Sequence, residues 1–406
     1  MTANPEAPET AEPVLSYPFE RAAGLQQCPM YGKLREESPV ADVQMPSGDH
    51  AFLLTKYDDV RTALSDPRFS RAATLEPGAP RLAAAPQNFK SLLNMDPPEH
   101  TRVRKLVSRE FTVRRVAALR PRIQEHTDAL LDAMEAQTGP VDLVPALAFP
   151  LPVTVICELL GVPFEDREKF AAWSSVFLAT TSRTKEEMLG AQLGLRTYLG
   201  ELVAAKREQP GEDLLSALVS IHDEDDDRLS EEELIFLGIS LLVAGHETTV
   251  NQIANSVVSL LEHPEQLERL RKEPELIGTA VEELLRMHPP GDEALLRITL
   301  EDVELSGVTI PAGSAVLAGL SSANRDGAQF ERPDELDFDR PANPHFAFSH
   351  GPHYCIGSGL ARLELQIAIG SLIQRFPTLR LAVPASELSR PEGMLVHGIS
   401  SLPVTW

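Results

Sequence analysis

The chain has 406 residues, with 37 basic against 60 acidic side chains, and its formal net charge of −23 at pH 7 argues against nucleic acid as a partner. Three cysteines, none in a CxxC pair, exclude a disulfide framework and a zinc knuckle and suit a reducing compartment. The start of the chain, MTANPEAPETAEP, has neither a basic beginning nor an apolar centre, so we expect no signal peptide and no membrane anchor.

In chain order, the Pro- and Glu-rich residues 1–16 are predicted to form a disordered tail, and residues 17–406 a single large domain. Short strand signals occur at residues 50–55 (HAFLLT), at residues 303–319, where IPAG supplies a turn between two alternating runs, and at residues 394–406. Most of the remaining chain has apolar residues at helical spacing. The sequence therefore predicts a mainly α fold with small β-sheets.

One long helix is predicted near the centre of the chain. Ser230 and Glu233 form a capping box, and the apolar spacing continues to about Leu261. At 1.5 Å per residue, such a helix is roughly 45 Å long. Its most apolar run, residues 234–245, is shorter than the ~20 residues of a membrane span, so we expect a core helix.

A polar segment, AGHETTVNQ at residues 244–252, breaks the apolar pattern of that helix. HExxH metal binding is excluded, because Val250 stands where the second histidine would be. One interpretation is a surface patch or a kink, whose hydroxyls bond to the preceding turn. The other interpretation is a set of buried polar groups that serve a function.

A second unusual segment is FSHGPHYCIG, which runs from Phe348 to Gly357. Gly351 and Gly357 allow a tight turn, and Cys355 stands just before a periodic helix whose N-terminal amides favour a thiolate. A structural metal site takes four protein ligands, and nothing nearby offers the other three. A haem iron needs only one axial ligand from the protein, so haem suits this loop; a buried structural cysteine is the ordinary alternative.

The spacing of this loop resembles the haem-binding signature of the cytochrome P-450 monooxygenases. The matching positions are Phe348, Gly351, His353, Cys355 and Gly357. The pattern is highly specific, and the resemblance extends over almost the entire chain.

Three further segments agree with the same family in order and spacing. Residues 244–249 resemble its oxygen-activating segment, and residues 96–102 resemble the entry to a helix that supports the haem. Glu283 and Arg286 resemble its Glu-x-x-Arg motif, with Arg340 as the third member of an ion-pair network. We expect these charges to form a buried structural cluster, whereas a solvent-exposed pair is the commoner outcome of this spacing.

The resemblance implies the P-450 fold, a haem b cofactor and O2 as co-substrate. Cys355 would be the axial ligand of the haem iron, and Glu247 and Thr248 would be catalytic by guiding protons to the activated oxygen. The other cofactor-binding residues that the resemblance implies are His100, Arg104, Arg297 and His353 at the haem propionates, Gly245 beside the iron, and Phe348, Gly351 and Gly357 in the cysteine loop.

Electrons must come from a partner, because the sequence has no GxGxxG fingerprint of a flavin or nicotinamide domain. Residues 101–122 contain eight basic residues and one acidic residue in an otherwise acidic chain. In the family this segment lies on the proximal face. We therefore expect electrons from NAD(P)H through a reductase and a ferredoxin, which docks on the basic segment that begins at Arg102 and ends at Arg122; a solvated basic helix face is the alternative.

The predicted reaction is insertion of one oxygen atom into a sizeable, mostly apolar molecule by hydroxylation or epoxidation. The resemblance is strongest to soluble bacterial members that serve antibiotic and polyketide pathways, so we expect a polyketide or macrolide substrate and a cytoplasmic monomer. A non-catalytic haem-thiolate binding or sensing protein and an oxidative coupling enzyme on the same scaffold remain as alternatives. The stretches that the family uses for specificity correspond to about residues 71–95, 173–188, 241–248, 291–296 and 396–399.

Asp292 and Glu293 stand side by side in a loop that should run past the haem edge. A carboxylate in an apolar pocket is costly unless a cation meets it, so one interpretation is that an acid here binds an amine on the substrate. The simpler interpretation is that both acids point to water.

Overall fold

The computed structural model of the protein describes residues 15–20, 24–82, 90–225, 228–291 and 296–406. Within these ranges the fold is mainly α, as predicted, and short strands form three small sheets. The helices are α1 (Pro29–Glu37), α2 (Tyr57–Ser65), α3 (Glu99–Ser108), α4 (Val113–Ala118), α5 (Arg120–Glu135), α6 (Pro150–Leu160), α7 (Arg167–Phe177), α8 (Lys185–Glu208), α9 (Leu214–Glu224), α10 (Glu231–Glu262), α11 (Pro264–Lys272), α12 (Ile277–Met287), α13 (Leu320–Ala323) and α14 (Ser358–Arg375). The strands are β1 (Leu15–Ser16), β2 (Val40–Gln44), β3 (His50–Leu54), β4 (Phe69–Ser70), β5 (Val141–Asp142), β6 (Leu296–Thr299), β7 (Val303–Leu305), β8 (Val308–Ile310), β9 (Ala315–Ala318), β10 (Arg380–Leu381) and β11 (Pro403–Thr405).

The long central helix, α10, begins where the capping box predicts. Ser230 Oγ accepts a hydrogen bond from the backbone N–H of Glu233 at 3.2 Å, and Glu233 Oε2 accepts one from the N–H of Ser230 at 2.8 Å. The helix ends at Glu262 and is continuous through residues 244–252. It packs against α6, α8 and α14, so it lies at the centre of the helical part of the protein.

By length and composition α10 could cross a membrane. However, 61% of its most apolar window is buried inside the protein, which is the behaviour of a core helix. Leu234, Leu242 and Ile253 are each fully buried among other apolar side chains. The expectation of a core helix is therefore confirmed, although the helix is longer than the apolar run on which that expectation was based.

The largest sheet has the strand order β1-β2-β3-β9-β6-β4. β4 pairs with β6 in antiparallel orientation, with Phe69 opposite Thr299 and Ser70 opposite Ile298. This pairing places the chain that leaves β4 alongside the start of β6. Leu15 and Ser16, which the sequence assigned to the disordered tail, form β1 at the other edge; residues 1–14 of that tail lie outside the described residues.

The strand signal at residues 50–55 is confirmed as β3, and residues 303–319 have strands on both sides of the IPAG turn, as predicted. These strands, β8 and β9, belong to different sheets. The first of the two runs is itself a hairpin, β7–β8, which turns at Ser306 and Gly307, both with positive φ (46° and 78°). A two-residue turn that ends in glycine is the usual hairpin connection, so the signal was present in the sequence. Of residues 394–406, the described strand is β11.

Candidate active site

Cys355 lies in the tight turn that precedes α14, and its backbone N–H donates a hydrogen bond to the carbonyl oxygen of Phe348 at 2.8 Å. Gly351 has a φ of 68°, and a Cβ at this position would lie 2.7 Å from the carbonyl oxygen of Leu64, so only glycine fits. Gly357 is different. Its φ is −84°, and a Cβ there would meet only the sulfur of Cys355, at 4.0 Å. Gly351 therefore shapes the loop, whereas Gly357 leaves the space beside the sulfur open.

The electrostatic surroundings of Cys355 act in two directions. Burial raises the pKa of the Cys355 thiol, whereas the backbone N–H groups of Gly357 and Ser358 and the charge of Arg104 lower it. The N-terminal amides of α14 do favour a thiolate, as predicted, but burial outweighs them in the protein alone. A thiolate at this position therefore needs a positively charged ligand. Among the described residues, no group of three or more His, Cys, Asp or Glu side chains can hold a metal ion, so a metal here has to bring most of its own ligands.

Three of the predicted cationic residues are brought together next to the cysteine loop. The rings of His100, on α3, and His353 lie 4.4 Å apart between centroids. Burial, followed by the neighbouring charges of His100 and Arg297, lowers the pKa of His353 to about 2. Arg297, on β6, is only 2% exposed, and neither its Nη1 nor its Nη2 has a hydrogen-bond partner among the described residues. Buried donors without acceptors are costly, and the two carboxylates of haem fit this cluster.

Arg104, which is also predicted at a propionate, contacts the cysteine loop. Its Nη2 donates a hydrogen bond to the carbonyl oxygen of Tyr354 at 2.5 Å, so its guanidinium ties α3 directly to the cysteine loop. Burial lowers the pKa of Arg104, and the nearby Cys355 raises it. Arg104 is therefore close enough to the cluster to add its charge, but one of its donors is used by the loop.

Arg71 belongs to the same cluster and was missed by the sequence analysis. It directly follows β4, and its Nε donates to the carbonyl oxygen of Leu93 at 2.7 Å. Its charge also contributes to the lowered pKa values of Arg297 and His353. No local motif marks this arginine. Only the pairing of β4 with β6 brings it to the site.

The polar segment of α10 has one face that borders an open space. Ala244 is exposed and Thr248 is partly exposed, although Val243 and Thr249 beside them are buried. Because Ala244 and Thr248 are four residues apart, they lie on the same face of the helix. Thr248 Oγ1 donates a hydrogen bond to the carbonyl oxygen of Ala244 at 3.0 Å. This face is therefore open to a ligand in the middle of an otherwise buried helix.

Glu247 lies beside a buried histidine. Its side chain is 18% exposed, and its Oε1 is 3.6 Å from Nε2 of His246. The Nδ1 of His246 is 2.6 Å from the carbonyl oxygen of Leu242. Since a carbonyl oxygen only accepts, Nδ1 of a neutral His246 carries the hydrogen, and Nε2 presents a lone pair towards Glu247. At 3.6 Å the two atoms are too far apart for a hydrogen bond, and Nε2 has no hydrogen-bond partner among the described residues.

Gly245 has a packing role between two helices. A Cβ at this position would lie 2.6 Å from Cδ1 of Ile156, on α6. The absence of a side chain therefore allows α10 and α6 to approach closely. The described atoms do not assign Gly245 the expected role of leaving room beside an iron.

The predicted ion-pair network is present and buried. Glu283 accepts hydrogen bonds from Arg286 Nε at 2.8 Å and Nη2 at 2.7 Å, and both side chains are at most 1% exposed. Arg340 Nε is 3.2 Å from both carboxylate oxygens of Glu283. Further hydrogen bonds of Arg286 go to the backbone carbonyl oxygens of Asn324, Pro333 and Glu335. The network connects α12 to the chain that leads into the cysteine loop, which is the structural role expected of it.

The basic segment, residues 102–122, is on the surface, but part of its charge is neutralised within the chain. The internal ion pairs are Arg102 with Glu233, Arg115 with Glu110, and Arg122 with Glu125 and Glu158. Four exposed side chains form no ion pair with the described residues: Lys105, Arg109, Arg114 and Arg120. α4 in this segment packs against α14, and the neighbouring Val113 is 89% exposed. The free positive charge therefore lies on the side of the protein that carries the start of α14.

Asp292 and Glu293 lie outside the described residues, as do residues 83–89 of the first predicted specificity stretch. The described parts of these stretches contain apolar side chains that are only partly buried: Leu92, Phe177 and Leu178. Leu395, just before the last stretch, is also partly buried.

A lone thiol at the start of a helix, with buried cations that lack acceptors beside it, is typical of proteins that bind haem through cysteine. The family model of Cytochrome P450 matches residues 173–396. Nocardicin C N-oxygenase of Nocardia uniformis subsp. tsuyamanensis is 51% identical over 393 residues, which cover 96% of this chain and 98% of that protein. The chain therefore belongs to the cytochrome P450 family.

Two further comparisons agree. Mycinamicin IV hydroxylase/epoxidase of Micromonospora griseorubida is 48% identical, and the match covers 98% of this chain and 100% of that protein. The crystal structure of cytochrome P450mel 107F1 with biaryl coupling reactivity has a TM-score of 0.91 and 41% identity, and the match covers 97% of this chain and 100% of that one. The protein is an oxidoreductase, a P450 monooxygenase of secondary metabolism, and the family uses haem, O2 and electrons from a redox partner. The relatives give no support to a non-catalytic haem protein.

Proposed function

We propose that the protein hydroxylates or epoxidises a sizeable, mostly apolar metabolite of the polyketide or macrolide class. The observation that carries this proposal is the open face of Ala244 and Thr248 in the middle of the buried helix α10. The partly buried Leu92, Phe177, Leu178 and Leu395 supply apolar surface that a large ligand would cover. The name of the 48% identical mycinamicin IV hydroxylase/epoxidase supports a macrolide.

In this proposal Cys355 would hold the haem iron through its thiolate, and the haem would supply the activation of O2 when bound. His100 and Arg297 would bind the haem propionates, because hydrogen bonds to carboxylates would satisfy His100 Nε2 and Arg297 Nη1 and Nη2, which the described residues leave unpaired. His353, whose ring lies 4.4 Å from that of His100, would bind the same groups. Arg104 adds a positive charge while it holds the carbonyl of Tyr354. Phe348 and Gly351 hold the cysteine loop in shape, Gly357 keeps the sulfur accessible, and Gly245 sets the distance between α10 and α6.

Glu247 and Thr248 handle protons in this proposal. Thr248 uses its own hydrogen to bond to the carbonyl oxygen of Ala244, so its oxygen offers lone pairs to the open space. It can therefore accept a hydrogen bond from a water or ligand and hold the donor in place. Glu247 is part-exposed, so it can exchange protons with solvent, and in this proposal it passes them towards Thr248, the next residue in the chain.

Electrons reach the site, in our proposal, from NAD(P)H through a reductase and a ferredoxin. The support is electrostatic: the exposed Lys105, Arg109, Arg114 and Arg120 form no ion pair with the residues that the structure describes, and they lie on an otherwise acidic protein. An acidic ferredoxin would be attracted to this surface, and the attraction would weaken with salt. We also propose that the protein is a cytoplasmic monomer, since the most apolar helix is a core helix.

The proposal is tested with a panel of macrolides and other polyketides. Ligands that bind beside the iron are expected to shift its spin state, and the best of them is then incubated with ferredoxin, reductase and NADPH. A product heavier by one oxygen atom supports the proposal. If no panel member shifts the spin state, or the shifted ligands are recovered unchanged, the substrate class is wrong.

The electron path is tested separately with Lys105→Glu, Arg109→Glu and Arg114→Glu. Each variant is expected to slow reduction of the haem by ferredoxin at low salt, whereas Lys33→Glu, on α1, serves as a charge-reversed control. Equal effects at all four positions would count against docking on the basic segment.

Oxidative coupling is the second candidate. It is favoured by one observation, the 0.91 TM-score to a P450 with biaryl coupling reactivity. The two candidates differ in their product, because coupling joins two carbon atoms with loss of two hydrogens and adds no oxygen. Mass measurement of the product decides between them.

A further inference from the structure

The two arginines Arg71 and Arg297 lie close together where β4 ends beside β6. The paired strands end with Ser70 opposite Ile298, and the backbone then turns at Arg71, whose φ and ψ are −90° and −35°. Arg71 Nη1 donates a hydrogen bond to the carbonyl oxygen of Leu296, the residue before Arg297, so two positive charges share one small region and repel each other. An arrangement of this kind calls for an anion between the two charges.

No acidic side chain in the described part of the protein forms an ion pair with Arg71. Its Nε and Nη1 donate to the backbone carbonyl oxygens of Leu93 and Leu296, which orient the guanidinium but do not neutralise it. The nearest acid is Asp96. Its carboxylate already accepts hydrogen bonds from the Ser70 hydroxyl and from the backbone N–H groups of Arg71 and Ala72.

Arg297 is in the same situation and is more deeply buried. Its Nη1 and Nη2 have no acceptor among the described residues. Burial, followed by the neighbouring charge of Arg71, lowers the pKa of Arg297 to about 9, and burial lowers the pKa of Arg71 to about 10. Both side chains therefore remain charged at pH 7, at a cost that only a bound anion offsets.

We propose that Arg71 and Arg297 form a two-arginine clamp on one carboxylate of the bound haem. The proposal rests on the haem site proposed above and adds Arg71 to it as a cofactor-binding residue. The charges of the cluster support a propionate as the anion. Arg71, Arg104 and Arg297 contribute three positive charges, and Asp96 with two propionates contributes three negative charges.

The first test measures how fast haem leaves the holoenzyme for apomyoglobin. Arg71→Gln removes a charge-assisted hydrogen bond, so we expect haem loss to accelerate about 10- to 100-fold. Arg71→Lys keeps the positive charge but lacks the planar guanidinium, so its rate of haem loss should lie between those of the unmutated protein and Arg71→Gln. Arg68→Gln is the matched control, because Arg68 is part-exposed, belongs to the same stretch and pairs with Asp66; it should match the unmutated protein.

The second test separates binding of the carboxylate from a general loosening of the fold. The unmutated protein and Arg71→Gln are reconstituted with haem dimethyl ester, which has no carboxylate for the clamp to bind. The difference in haem loss between the two proteins should then disappear. The clamp is ruled out if Arg71→Gln retains ordinary haem as well as the unmutated protein does. It is also ruled out if the substitution accelerates loss of the ester by the same factor as loss of ordinary haem. In either case, the proposed function stands as long as the unmutated protein binds haem.

Discussion

Replacement of Glu283 by Gln would remove the negative charge at the centre of the buried network. The carboxylate of Glu283 accepts hydrogen bonds from Arg286, Arg340, the side-chain amide of Asn343 at 3.0 Å and the backbone N–H of Asp337 at 3.0 Å. Glutamine keeps one oxygen acceptor but leaves the charge of Arg286, which is fully buried, without a counter-charge. Breaking one partner out of a buried pair costs about 3–5 kcal/mol.

The chain offers a matched control with the same spacing. Arg332 and Glu335 also form an i,i+3 pair, at 2.8 Å, but their side chains are 57% and 59% exposed. Glu335→Gln should therefore lower the free energy of unfolding by no more than about 0.5 kcal/mol. Urea unfolding of both holoenzyme variants at pH 7, followed by far-ultraviolet circular dichroism, measures the difference. If the losses in free energy of unfolding caused by Glu283→Gln and Glu335→Gln differ by less than about 1 kcal/mol, the buried network does not stabilise the fold as we expect.

Three other predictions follow from the same site. Cys355→Ser should abolish the strongly red-shifted Soret band of the reduced, carbon monoxide-bound enzyme; a histidine-type spectrum in the unmutated protein would contradict the assignment of the ligand. Thr248→Ala should leave ligand binding intact while NADPH consumption yields peroxide in place of product, and Thr248→Ser should restore coupling; equal coupling in all three proteins would exclude the hydroxyl from proton delivery. The third prediction concerns Glu282: burial raises the pKa of its carboxyl, but hydrogen bonds from His345 and Arg362 outweigh burial and lower that pKa from 4.5 to about 2. The stability that this carboxylate contributes is therefore complete above pH 4.5 and is lost as the pH falls towards 2, so Glu282→Gln should flatten the acid limb of a plot of unfolding free energy against pH.

The parts of the site that the sequence predicts correctly are those whose chemistry is local. The start of α10 follows from Ser230 and Glu233, which satisfy each other's backbone groups within one turn. The turn of the cysteine loop is also local, because the positive φ of Gly351 is a property of a few consecutive residues, although the approach of the Leu64 carbonyl oxygen to that glycine is not. In both cases the chain itself carries the information.

The parts that the sequence missed depend on distant segments. Arg71 reaches the site only through the register of β4 against β6, and a two-residue strand carries too little pattern to predict its partner. From the sequence, Gly245 is expected to have a role beside the iron. Its packing against Ile156, nearly ninety residues earlier, is a separate contact that the local sequence does not indicate. The pairing of β9 with β3 and β6, not with β8, is also a long-range choice, set by the sheet and not by the IPAG turn.

The position of Cys355 relative to α3 has a consequence for the synthesis of the protein. His100 is translated 197 residues before Arg297 and 255 residues before Cys355. A nascent chain therefore holds both walls of the site only long after His100 has been made. A ligand that binds the folded but not the unfolded chain stabilises it by mass action, by about 2.7 kcal/mol at a hundredfold excess over its dissociation constant. The haem available to a cell while it translates this chain therefore governs how much folded protein accumulates, and not only how active that protein is.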